Sequence, residues 1–250
     1  MTNPDIIIDK FLVKKNVKVN VIRDDYLEGG TKQRALDVLM KKKYNEYIYA
    51  GPAEGYAQIA LAYIGGLYNK KVTIFLAKRK KDTDLTTKAR EYGAKIKYIS
   101  PPNRINNLRQ KSIVYEKKNK NRKLLPFGLD SELYITSLAQ RIKEAWGRKR
   151  KPKRIWLVSG SATILRALAL IFPDACFLVV EVGKKIWPDL VEGINHKIYK
   201  SSLKFYQNAT VVPPYNSVIT YDAKLWEFVV KHGINGDYVW NVAGDVKNEY

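Results

Sequence analysis

The stretch Arg154-Ile-Trp-Leu-Val-Ser-Gly-Ser-Ala-Thr-Ile-Leu-Arg-Ala-Leu-Ala-Leu-Ile-Phe-Pro-Asp-Ala-Cys-Phe-Leu-Val-Val-Glu-Val182 decides the fold class. Its first six residues, Arg154–Ser159, form a short run of strand-favouring side chains. A break of small residues follows, and Ala162–Phe172 has the apolar spacing of a helix. After Pro173-Asp174 a second apolar run, Ala175–Val182, predicts another strand. Strand, helix and strand joined by short links require parallel strands and a right-handed crossover.

The same alternation continues on both sides. Val17–Arg23 alternates as a strand, Asp24–Thr31 is a polar turn containing glycine, and Lys32–Lys43 is helical through Ala35, Leu36, Leu39 and Met40. Strands are predicted at Glu46–Gly51, Lys71–Ala77 and Lys95–Ser100, with helices at Gly55–Leu67 and Leu85–Tyr92 between them. Asp130–Trp146 is an amphipathic helix. Pro213-Pro214 precedes a last helix at Ala223–Lys231 and a last strand at Tyr238–Val242. Alternation throughout predicts an α/β fold with mostly parallel sheets.

Composition narrows the function classes. The 250 residues hold 45 basic and 24 acidic side chains, a formal charge of +21. No apolar run approaches about 18 residues, since the longest, Ile155–Val182, is broken by Ser159, Arg166 and Asp174. No membrane span and no secretory leader are expected, and a cytoplasmic protein is the expectation. One cysteine, Cys176, leaves no internal disulfide, and two distant histidines argue against a zinc site. The charge is concentrated: segment 104–154 holds sixteen basic and four acidic residues. Lys117, Lys118, Arg148, Lys149, Arg150 and Lys151 are therefore candidate nucleic-acid contacts through counterion release. Solvated loops in a lysine-rich chain are the plainer reading. No zinc-finger, RNP or basic-zipper pattern supports base-specific readout.

Parallel sheets bind ligands where strands end and helices begin. Four such loops stand out. Leu27-Glu-Gly-Gly-Thr-Lys-Gln-Arg34 puts Lys32 in the first turn of a helix, where the dipole disfavours its charge; an ordinary capped turn with an exposed lysine reads the same way. Ser159-Gly160-Ser161-Ala162-Thr163 is a phosphate cradle or a helix cap. Tyr221-Asp222 opens the last helix as ligand contacts or as packing and a cap. Ala50-Gly-Pro-Ala-Glu-Gly55 offers Glu54 as an acid, a base or a first-turn charge.

Taken in order, these loops resemble the fold type II pyridoxal-phosphate enzymes, the tryptophan synthase β-like superfamily, and within it the aminocyclopropane-carboxylate deaminase and D-cysteine desulfhydrase branch. Arg23-Asp-Asp, Gly29-Gly-Thr-Lys-Gln-Arg34, Ser159–Thr163 and Tyr221-Asp-Ala-Lys224 carry the resemblance. It implies two three-layer α/β/α domains with mostly parallel twisted sheets. The larger, cofactor-binding domain would span 1–45 plus 126–250, and the smaller 46–125. It also implies pyridoxal 5'-phosphate as cofactor, Lys32 as the cofactor-bearing lysine and a homodimer. Ser159, Gly160, Ser161, Ala162 and Thr163 would cradle the phosphate, with Asp222 and Asn241 as further cofactor contacts. Lys32, Tyr221 and Glu54 are the candidate catalytic residues. Pro52-Ala-Glu-Gly55 departs from the family's Ser/Gly-Asn-His/Gly loop, which puts ordinary cyclopropane ring opening in doubt.

Three functions follow as expectations. The first is deamination, β-elimination or replacement on a small amino-acid substrate. The second is the same chemistry on an amino acid attached to DNA, as in viral base modification. The third is an inactive basic nucleic-acid-binding relative.

Overall fold

The computed structural model describes residues 3–100 and 105–246. The chain divides into two compact units: Met1–Arg34 with Asp130–Asp245, and Ala35–Leu129 with Val246–Tyr250. The sequence reading had set these junctions after 45 and before 126.

The larger unit is built on a six-stranded sheet of order β1-β2-β10-β7-β8-β9, made of Ile8–Lys14, Val17–Arg23, Tyr238–Asn241, Arg154–Ser159, Cys176–Glu181 and His196–Lys200 respectively. β1 pairs with β2 antiparallel, and every other pairing is parallel. Side chains alternate across the sheet. Trp156, Val158, Leu178, Val180 and Val239 form one buried layer with Trp226 and Val229 of α7 (Trp226–His232). The intervening Ile155, Leu157, Phe177 and Val179, also buried, belong to the other face. Helices α5 (Glu132–Trp146) and α6 (Thr163–Ile171) pack together, and α6 lies against β7. Trp156 satisfies its indole N–H on Asp237 at 2.7 Å, as a buried polar handle must.

The smaller unit has a four-stranded, wholly parallel sheet of order β5-β4-β3-β6. Its strands are β3 (Glu46–Ala50), β4 (Lys71–Ala77), β5 (Lys95–Ile99) and β6 (Arg122–Leu124). Helices α1 (Gln33–Met40), α2 (Ala57–Leu67), α3 (Asp84–Glu91) and α4 (Ile105–Lys117) complete its chain, α1 beginning just before the junction at Arg34. All five residues of β3 are buried, as expected for a central parallel strand. Glu46 is buried in that strand because its carboxylate takes hydrogen bonds from Thr73 (2.6 Å), Tyr115 (2.9 Å) and Arg122 (2.7 Å). These donors hold its pKa below the ordinary glutamate value against the opposing effect of burial.

Four elements escaped the sequence reading: β1, α4, β6 and β9. β1 and β9 are sheet edges whose residues are only half-buried or exposed, so their hydrophobic alternation is weak. β6 is three residues long. The Lys32–Lys43 helix begins later than expected: Gly30–Lys32 is a 3-10 turn and the α-helix starts at Gln33. The last helix behaves alike, with Asp222–Leu225 in a 3-10 turn ahead of α7. Among the described residues no helix is long and apolar enough to cross a membrane.

Candidate active site in the larger unit

β2, β10 and β7 are adjacent and parallel, so their carboxyl ends lie side by side. Three segments leave these ends: the turn with Lys32, the Val242-Ala243 segment, and the Ser159–Thr163 loop. This is where an open parallel sheet places a ligand.

Gly30 lets the first two segments meet. It has φ of +59°, and a Cβ there would stand 2.4 Å from the Val242 carbonyl oxygen. Glycine alone meets both demands. Thr31 then donates its backbone N–H to that carbonyl at 2.8 Å. The turn is fixed from beneath by a buried polar network. Asp24 accepts the Thr31 hydroxyl at 2.6 Å and Arg34 Nη2 at 2.6 Å, while Arg34 Nε reaches both its oxygens at 3.1 Å. Trp240 donates its indole N–H to Thr31 Oγ1 at 2.9 Å. Arg34 also binds the Pro4 and Asp5 carbonyls, and Tyr134 donates to the Lys32 carbonyl at 3.0 Å. Thus Asp24, Thr31 and Arg34 of the motif are spent on the backbone that presents Lys32.

Lys32 is half-buried. Desolvation lowers its pKa from the ordinary lysine value, with attraction to Asp222 opposing. The exposed-lysine reading of this turn is thereby excluded. Asp222 is buried, and burial pushes its carboxyl up to about 8, against the attraction of Lys32 and the backbone N–H groups of Val242 and Ala243. Its Oδ1 has no hydrogen-bond partner among the described residues. Desolvation thus opposes the charge on both groups and draws their protonation equilibria toward each other. The pair is a poised proton donor and acceptor rather than a structural salt bridge.

In the third segment Ser159 accepts the Ala162 N–H at 3.0 Å, and the Ser161 and Thr163 hydroxyls lie 3.0 Å apart. Ala162 is left-handed at φ +58°, an uncommon state for a residue with a Cβ. It turns the chain sharply into α6, whose first N–H groups lack helical acceptors. A Cβ on Gly160 would lie 3.7 Å from the Tyr221 hydroxyl, so tyrosine and loop are neighbours. Tyr221 packs edge-on against Phe205 at 5.6 Å.

Other candidates fall differently. Asn241 donates its amide to Asp25 (2.8 Å) and the Asn216 carbonyl (2.7 Å), tying β10 to Asp25, which Arg23 also holds. Glu54 is in the smaller unit and ion-paired with Arg79. Lys117 ends α4 and Lys118 follows it in the smaller unit, whereas Arg148, Lys149, Arg150 and Lys151 follow α5 in the larger. Arg104, the first basic residue of segment 104–154, lies outside the described residues.

The sequence assigns no role to two further groups, the buried Lys224 and the half-buried Tyr215. Lys224 is 2 % exposed and donates to the Lys204 and Phe205 carbonyls at 2.7 and 3.3 Å. With no carboxylate beside it, burial lowers its pKa to about 8. Tyr215 lies close enough to Asp222 and Asp25 for their charges to add to burial in raising its phenol. Lys224 stood in the quoted motif; Tyr215 followed a Pro-Pro break and left no signal.

No family model matches the sequence, and no curated protein does. Solved structures do match. An ACC deaminase homologue superposes with a TM-score of 0.79 at 13 % identity, covering 96 % of this chain and 89 % of that one. O-ureido-L-serine synthase gives 0.70 at 13 % identity, covering 96 % and 89 %. Diaminopropionate ammonia lyase of Escherichia coli gives 0.63 at 11 % identity, covering 97 % and 83 %. At such identities the likeness shows the fold: the chain has the fold type II architecture of pyridoxal-phosphate enzymes, with two α/β units carrying mostly parallel sheets.

Proposed function

We propose that this chain is a pyridoxal-phosphate-dependent enzyme that deaminates a small amino acid or eliminates or replaces its β substituent. The observation that carries the reading is the half-buried Lys32 with the buried Asp222, whose Oδ1 is without a partner among the described residues, at the carboxyl ends of β2, β10 and β7. A buried carboxyl oxygen without a partner costs stability unless a ligand atom meets it. The residues fit the cofactor: an amine whose charge is disfavoured by desolvation, a carboxyl for a ring nitrogen, and a small-residue loop at a helix start for a phosphate.

When bound, the cofactor supplies an electron sink for the bond broken at the substrate's α or β carbon. The rest is done by the chain. Lys32 would hold the cofactor through its amine and would carry a proton to or from the substrate carbon. Asp222 would face the ring nitrogen. Gly160, Ser161, Ala162 and Thr163 would hold the phosphate through backbone N–H groups and hydroxyls, with Ser159 fixing the loop through the Ala162 N–H. The Tyr221 hydroxyl, beside Gly160, is a second proton carrier at the same end. Asn241 braces this wall through Asp25 and Asn216. No step is assigned to Glu54, whose carboxylate is spent on Arg79. A free amino acid, rather than one carried on DNA, is the substrate class, in keeping with neighbours named for small amino acids.

The test is a spectrum of the purified protein with added pyridoxal phosphate, before and after borohydride, with the reduced lysine mapped. A near-visible band that Lys32→Ala abolishes, and labelling at Lys32, are expected. A colourless protein, or labelling at another lysine, refutes the proposal.

A further inference from the structure

The smaller unit carries a second feature, remote in kind from this chemistry. Among its described residues are 20 Lys and Arg against 7 Asp and Glu, compared with 23 against 16 in the larger unit. Three lysine clusters that are distant in sequence meet at one end of its parallel sheet. Lys41-Lys-Lys43 precedes β3, Lys70-Lys71 opens β4, and Lys117-Lys-Asn-Lys-Asn121 precedes β6. The strands start in register, with Glu46 beside both Lys71 and Arg122.

The turns are laced together. Asn45 and Glu46 donate backbone N–H groups to the Asn121 carbonyl at 2.9 and 3.2 Å, and Lys71 donates to the Asn45 carbonyl at 3.0 Å. The Lys70 ammonium lies 2.9 Å from the Tyr44 carbonyl. β4 and β6 flank β3, so the clusters span two inter-strand spacings, about 10 Å. Each flanking cluster is one spacing, about 5 Å, from the central one, within the Debye length of about 8 Å at physiological salt, so neighbouring fields add. The acids nearby are already engaged: Asp37 with Lys41, Glu46 inside the sheet, and Glu116 on the Leu124 N–H.

We infer that the amino-terminal end of the smaller unit's sheet, formed by 41–45, 70–71 and 117–121, is a docking surface for nucleic acid, held through its phosphodiester backbone without base readout. It is the opposite end of the strands from the one where parallel sheets place catalytic ligands. Lysines there are interleaved with exposed Asn45, Asn119 and Asn121, which add amide donors for phosphate and sugar oxygens. A lipid surface calls for apolar side chains beside the lysines, and 41–45 and 117–121 contain no aliphatic residue.

The test is fluorescence anisotropy of a labelled DNA duplex of about 30 base pairs, with full-length protein, between roughly 50 and 200 mM salt. Lys43→Glu/Lys118→Glu/Lys120→Glu is compared with Arg148→Glu/Arg150→Glu/Lys151→Glu, which removes equal charge from exposed positions of the larger unit. The first triple variant is expected to bind at least tenfold more weakly, with the salt slope reduced by about 2.7 for three lost phosphate contacts. The second stays within about threefold of the parent protein. Equal losses in both variants mean attraction to net charge alone and overturn the inference. No binding by the parent protein, or tighter binding to phosphatidylserine vesicles than to DNA, overturns it as well. The Lys32 absorbance band is unchanged in both variants, so failure here is separable from failure of the proposed chemistry.

Discussion

Asp24→Asn tests whether the turn bearing Lys32 depends on the ion pair beneath it. Asp24 and Arg34 are each 1 % exposed in their side chains. The substitution keeps the shape of Asp24 and leaves an acceptor for the Thr31 hydroxyl, but it removes the carboxylate that pairs with Arg34 among the described residues. The guanidinium retains the Pro4 and Asp5 carbonyls, which offset part of the desolvation of a full charge. Removing one partner of a buried pair costs about 3–5 kcal/mol. For a chain of this length that lowers Tm by roughly 6–20 °C. Combining it with Arg34→Met removes the stranded cation and restores about half of the loss or more. The assay is thermal melting of the cofactor-free protein followed by circular dichroism. Glu91→Gln is the control: it breaks the exposed Lys88–Glu91 pair, worth about 0–1 kcal/mol. If Asp24→Asn melts together with Glu91→Gln, or Arg34→Met deepens the loss, the network does not anchor the turn.

Two further outcomes follow from the same wall. Gly30→Ala places a Cβ 2.4 Å from the Val242 oxygen at a φ of +59°, which costs at least about 2 kcal/mol and weakens pyridoxal-phosphate binding; a variant as stable as the parent protein would show that the turn shifts freely. Asp222 titrates in the folded protein at about 8 rather than 3.8. Its contribution to stability is therefore fully present below about pH 3.8 and is lost as pH rises through about 8. Urea melts of cofactor-free Asp222→Asn should accordingly gain on the parent protein by more than about 2 kcal/mol between about pH 5 and about pH 8; a constant difference refutes the assignment.

Much of the fold was legible because strands buried on both faces are short, dense apolar runs, while a strand with a partly solvated stretch, such as Val17–Arg23, alternates. Arg154–Ser159, Lys71–Ala77 and Val17–Arg23 coincide with their strands to the residue. β1, β6, β9 and α4 were illegible because they lie at edges or bury few side chains, so little hydrophobic pattern is required of them. The site divided likewise. Gly29-Gly-Thr-Lys and Ser-Gly-Ser mark themselves by residue type, since a close turn needs glycine and a cradle needs small side chains. Tyr215 does not, because its place beside Asp222 depends on a loop with no periodicity.

The sequence alone determined the alternating α/β order and the candidate lysine, because local spacing and turn chemistry act over a few residues. Only the tertiary structure decided that Lys32 is half-buried at the strand ends near Asp222, because its turn is held by Val242 and Tyr134, both a hundred or more residues away. It also divided the basic segment, placing Lys117 and Lys118 in one unit and Arg148–Lys151 in the other. It set the first pair beside Lys41–Lys43 instead, because parallel strands in register bring their starting turns together whatever their separation along the chain.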